Sequence, residues 1–238
     1  MSENLNKSDI STIIAKGTLG VIPIVGPIIA EIVGAIIPNQ RVDRIESLVK
    51  ILESKLDGYD KAKIEGKIKE PESIDLIEDG FIQASRALSE ERKEYIAALL
   101  KNSLTNNELN HIEYKRLLSL LGDMNDIEVL ILISHRFLLF RDDPEAQLFW
   151  DKHRDILEEP VLFSGASQEE VDKHTLYQTH RTHLVSLGLF KPKFKKPKKG
   201  ELPEFDEKTG MIKASGYETT SLGRLLLRVI DQEDKEGF

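Results

Sequence analysis

From Arg41 to Leu138, apolar residues keep returning three and four positions apart, a period that only an α-helix can turn toward one side. Val42, Ile45, Leu48, Val49, Leu52 and Leu56 make the first stripe, with Asp43, Arg44, Glu46, Lys50, Glu53 and Lys55 between them. Asp57-Gly58 is a stop signal, and Asp60 to Pro71 reads as a charged connector. Ile74, Ile77, Phe81 and Ala84 mark a second stripe that ends near Leu88. Ser89 is placed to cap a third helix that turns Tyr95, Ile96, Leu99 and Leu100 inward.

The same rhythm continues beyond Thr105. Thr105-Asn106-Asn107-Glu108 has the spacing of a capping box ahead of Leu109, Ile112, Leu117, Leu118 and Leu121. Gly122 closes that helix, and Asn125-Asp126 opens the next through Ile127, Leu130, Ile131, Ser134, Phe137 and Leu138. A short helix with Leu148, Phe149 and Trp150 is expected after Pro144, covering the end of the bundle. Short connections make these helices antiparallel neighbours.

The last third reads differently. Ser167-Gln168-Glu169-Glu170 is another capping box, and Thr175 to Leu187 is helical, with Leu176, Leu184 and Leu187 inward and Gly188 closing it. Leu189-Phe190 and Met211-Ile212 are expected as short strands flanking a long hairpin. Thr219-Thr220 then caps a final helix through Leu222, Leu225, Leu226, Val229 and Ile230. The fold expected is therefore mainly α: a helical bundle followed by a small C-terminal winged-helix-like α+β module. The divisions are an apolar N-terminal segment over 1-40, the bundle over 41-160, and the module over 161-238.

The N-terminal segment stands apart. Leu19 to Ile37 carries Glu31 as its only charge, and as one helix it would extend roughly 28 Å, close to a bilayer's apolar thickness. Pro23 and Pro27 interrupt such a helix, and Pro27 suits a first-turn position better than an interior one. Three readings stand side by side: a helical hairpin buried in the protein's own core, a segment that enters or lies on a membrane, or a constitutive membrane span. In the second, Leu19, Val21, Ile22, Ile24, Val25, Ile28, Ile29, Ile32, Val33, Ile36 and Ile37 are the candidates for contact with inner-membrane lipid.

Charge and chemistry narrow the function classes. Cysteine is absent, which removes disulfides, thiolate nucleophiles and cysteine zinc sites and fits a reducing compartment. Aromatics are only 6%, too few for a lectin-like face. Glu3, Lys7 and Asp9 occupy a polar start without a secretory n-region, so the expectation is cytoplasmic, peripheral to the inner membrane if the apolar segment meets lipid. No phosphate loop, dinucleotide fingerprint, nucleophile elbow or His-Glu-x-x-His spacing occurs. No catalytic, metal or cofactor residues are assigned, and no enzyme activity or small-molecule substrate is expected. His174, His180 and His183 read as a solvated polar helix face, and His111, His135 and His153 receive no role.

Net charge is -8, yet Lys191, Lys193, Lys195, Lys196, Lys198 and Lys199 are crowded into one run. Removing their +6 leaves the rest of the chain at -14. The run, with Arg181 on the preceding helix, is a candidate contact for nucleic-acid phosphates or lipid headgroups, or else a solvated loop.

Ala87 to Leu132 resembles the core of the bacterial abortive infection alpha family. The residues that carry this are Glu91-Arg92-Lys93-x-Tyr95-Ile96-Ala97, Leu117-Leu118-x-x-Leu121 and Asp126-Ile127-Glu128-x-Leu130, with the small-residue apolar segment upstream. The resemblance implies an association with phage defence, through growth arrest or death of infected cells. Joined to the apolar segment, it leads to the expectation of a non-enzymatic defence protein in which Leu19–Ile37, sheltered in the resting helical body, is released to perturb the inner membrane. The resemblance transfers no site residues. A DNA-binding transcriptional regulator using the C-terminal module, and an interaction scaffold with a protein partner or as a homo-oligomer, are the alternatives.

Overall fold

A computed structural model describes residues 42–139, 143–200, 202–205, 210 and 212–233. The apolar segment Leu19–Ile37 lies outside the described residues. Among those described, the protein is mainly helical, with one two-stranded antiparallel sheet near the C-terminus. The chain forms two compact units, the first ending at Asp123 and regaining residues from Val229, the second running from Met124 to Arg228.

The first unit is a bundle of α1 (Val42–Leu56), α2 (Lys61–Ile68), α3 (Pro71–Arg86), α4 (Glu90–Thr105) and α5 (His111–Asp123). α1 turns Ile45, Leu48, Val49, Leu52 and Leu56 inward, and Gly58, at φ +85°, makes the stop that the sequence signals. α4 is the central element and touches α1, α2, α3 and α5. Tyr95 to Leu100 are all buried, so this helix is covered on every side and has no narrow stripe. Ala97 and Ala98 keep its girth small, and Gly80 of α3 faces the Leu100 side chain at a distance where an added Cβ would lie 3.0 Å from Cδ1. Val229 and Ile230 complete this core, and Asn102 Nδ2 donates to Val229 O at 2.8 Å and to Asp231 Oδ1 at 3.0 Å.

Two expectations are corrected here. The charged connector is helical: Asp60 Oδ1 caps α2, which buries Ile64 and Ile68. α4 runs through Thr105, so the capping box of α5 is not Thr105–Glu108. Asn110 and Glu113 exchange the two capping hydrogen bonds instead, and Ile112 is exposed.

The second unit holds α6 (Asp126–Ser134), a 3₁₀ turn (His135–Leu139), α7 (Pro144–Leu157), α8 (Gln168–Ser186), β1 (Phe190–Phe194), β2 (Ala214–Thr219) and α9 (Ser221–Val229). α6 is apolar apart from Asp126, Glu128 and Ser134 and packs on both α7 and α8. Pro144 stands at the start of α7 behind the Asp143 cap, and Leu148 of that helix is exposed. Leu176 of α8 is likewise exposed, and not inward as its spacing suggested. The strands are longer than expected and displaced from Leu189-Phe190 and Met211-Ile212, because cross-strand pairing extends into the lysine run and into the weakly apolar Ala214–Thr219.

Candidate functional site

The hairpin begins where α8 is terminated. Gly188 takes φ +74° and its N–H donates to Val185 O at 2.9 Å, which turns the chain sharply into Leu189 and β1. β1 pairs with β2 in the register Phe190–Thr219, Lys191–Glu218, Pro192–Tyr217 and Lys193–Gly216, with an irregularity before Phe194. The return into α9 is close: Thr220 N–H donates to Leu189 O at 2.9 Å, and a Cβ on Gly223 would stand 2.6 Å from that same oxygen.

The near end of the hairpin is packed. The His135 ring lies 4.2 Å from that of Phe190, centroid to centroid, and Phe190 stacks on Tyr217 at 6.2 Å. Burial, with the nearby positive charges of Arg181 and Lys193, holds the His135 imidazole down to about 4. Arg181 is only 18% exposed; its Nη1 meets Glu159 Oε2 at 2.7 Å, and its guanidinium covers the rings of Tyr177 and Tyr217. The Tyr177 hydroxyl donates to Leu157 O at 3.1 Å, and burial pushes its pKa up.

The polar face of α8 is equally engaged. His180 Nδ1 and His183 Nδ1 lie 3.2 and 3.0 Å from Glu128 Oε1, while Glu128 Oε2 accepts the Asn125 N–H at 2.9 Å in the capping box of α6. Gln178 Nε2 donates to Glu159 Oε1 at 2.8 Å. These histidines are therefore not a solvated face, because a carboxylate from another helix receives them. Glu128 receives no role from the sequence; the one local signal for it is the Asn125-x-x-Glu128 spacing, which points to a capping box and not to the contact with the histidines. Among the described residues, no group of three His, Cys, Asp or Glu is arranged to hold a metal ion.

The lysine run divides in two. Lys191 and Lys193 reach across to Glu218 at 3.4 and 3.8 Å. Beyond the strand, Lys195, Lys196, Lys198 and Lys199 are exposed, and none makes an ion pair among the described residues. The hairpin also carries exposed Phe194, Leu202, Phe205 and Ile212, with Phe205 and Ile212 opposed in an isolated antiparallel bridge. Of the seven basic candidates, the structure thus leaves four as surface cations without an acidic partner among the described residues and holds Arg181 within the unit.

The architecture defines a mainly helical protein with a basic two-stranded hairpin. Comparison with family models, curated proteins and solved structures returns no match. Among the described residues, no helix is long and apolar enough to cross a membrane.

Proposed function

We propose that this chain is a non-enzymatic, phage-defence-type protein that binds phosphate-bearing polyanions through the far end of its hairpin. The observation that carries the reading is the group Lys195, Lys196, Lys198 and Lys199, four exposed cations without acidic partners among the described residues, on a chain that is otherwise strongly acidic. Such a group concentrates attraction at one place while the acidic remainder repels. The defence setting rests on the resemblance of Ala87–Leu132 to the abortive infection alpha family. Base-specific DNA reading by a winged-helix-like module is disfavoured, since Gln178, His180, Arg181 and His183 already serve Glu128 and Glu159.

The test is the salt concentration that elutes the full chain from immobilised heparin, compared with a Lys195→Gln/Lys196→Gln/Lys198→Gln/Lys199→Gln variant. The wild type elutes at clearly higher salt. Equal elution refutes the hairpin as a polyanion contact.

A second reading is favoured by the single charge within Leu19–Ile37, which equips the segment to perturb the inner membrane on infection. Expression of the full chain against a deletion of Leu19–Ile37 tests it. Equal membrane potential and equal viability in the two cultures would remove it.

A further inference from the structure

Lysines alone do not distinguish one phosphate-bearing surface from another, but the side chains among them do. Directly opposed residues of an antiparallel pair share a face, so Phe205 and Ile212 form one apolar patch at the far end of the hairpin. Both are exposed, as is Phe194 on the lysine limb, and Leu202 is 85% exposed. A nucleic acid would find a stacking ring in Phe194 or Phe205, yet it has no use for two aliphatic side chains held in water beside them. A membrane interface uses both kinds: apolar side chains enter the acyl boundary while lysines remain with the headgroups. From Phe190 to Thr219 the sequence holds eight lysines against five carboxylates, so the hairpin stays positive despite Glu201, Glu204, Asp206, Glu207 and Glu218.

We infer that the hairpin is an anchor for the surface of an anionic phospholipid membrane, with Lys195, Lys196, Lys198 and Lys199 on the headgroup phosphates and Leu202, Phe205 and Ile212 in the acyl boundary. The inference rests on the polyanion reading above and adds the identity of the surface. It needs no membrane-spanning helix and no contribution from the N-terminal segment.

Sedimentation of the full chain with phosphatidylglycerol-containing vesicles, and with phosphatidylcholine vesicles, tests the anchor. Three variants accompany it: the four-lysine neutralisation, Phe205→Ser/Ile212→Ser, and a milder Leu202→Ser, each checked by far-UV circular dichroism. The wild type binds anionic vesicles and not neutral ones. Neutralising the lysines lowers that partition at least about tenfold, each basic residue near such a surface being a several-fold factor. The two serine variants lower it as well while leaving heparin elution unchanged. Vesicle binding that is unaffected by the serine substitutions overturns the anchor and leaves the polyanion reading intact. Binding to oligothymidylate in preference to anionic vesicles overturns it also, in favour of single-stranded nucleic acid. Loss of heparin binding in the wild type itself would instead remove the reading on which the anchor rests.

Discussion

His183 Nδ1 lies 3.0 Å from Oε1 of Glu128, a carboxylate whose side chain is only 4% exposed. Because the other carboxylate oxygen caps α6, one residue fixes both the start of that helix and the face that α8 turns toward it. Glu128→Ala leaves two imidazoles and the Asn125 amide without their acceptor. The expected cost is about 3 kcal/mol, toward the lower end for a broken buried pair because the histidines keep some water. Glu128→Gln, which retains an acceptor oxygen, should cost clearly less. Urea unfolding of both variants measures the difference, and equal losses would show that the carboxylate charge, and not the acceptor oxygen alone, makes the contact.

His135 gives a pH dependence. The folded imidazole titrates at about 4, burial being the first cause, while the unfolded one titrates near 6.5. Between those values the unfolded chain binds a proton that the folded one refuses. Stability is therefore complete above 6.5 and falls as the pH drops toward 4, by about 3 kcal/mol in all from this group. His135→Phe keeps a ring against Phe190 and lacks this proton. Unfolding free energies compared near neutrality and near pH ~4.5 should show a larger acid loss for the wild type than for the variant.

Two glycines inside helices are expected to respond in opposite directions to alanine. At Gly223 the added Cβ would stand 2.6 Å from Leu189 O and 2.7 Å from Thr219 Cγ2, so α9 must move off the strand end. A loss of about 2 kcal/mol is expected for Gly223→Ala. At Gly66, within α2, nothing lies within 4 Å of the Cβ position. Gly66→Ala should stabilise by roughly 0.5–1 kcal/mol through helix propensity and the unfolded chain. Melting temperatures of the two variants read both signs in one experiment.

Asn102 ties the segment after Val229 to α4. Its amide donates to Val229 O and to Asp231 Oδ1, and Asp231 takes φ +56° while also meeting Lys101 Nζ at 2.8 Å. Asn102→Ala should cost about 2 kcal/mol through the orphaned buried carbonyl. It should also make the chain after Val229 more readily cut by a protease than in the wild type, as limited proteolysis followed by mass spectrometry would show. An unchanged cleavage pattern would mean that apolar burial of Val229 and Ile230 alone holds the segment.

These positions also show where sequence reading succeeds and where it stops. Stripes such as Ile45 to Leu56 are local in origin, so their period names the helix and its inward face together. α2 escaped because KAKIEGKI offers only Ile64 and Ile68, one turn apart, which is too little for a period to emerge. Leu176 fits helical spacing yet faces solvent, since spacing alone does not say what lies opposite. The lysine run was legible as charge. Its division was not, because Glu218 reaches Lys191 and Lys193 only through strand register. Glu128 and its histidines are separated by 52 and 55 residues, a distance over which no local pattern operates.

Val229 to Glu233 belong with helices that begin at Val42, so the stretch from Met124 to Arg228 is inserted within the sequence of the first unit. A ribosome making this chain delivers α1 to α5 early but must translate every residue of that insertion before the strip that Asn102 receives emerges. During synthesis the core around α4 therefore lacks Val229 and Ile230 until the inserted part has been made in full.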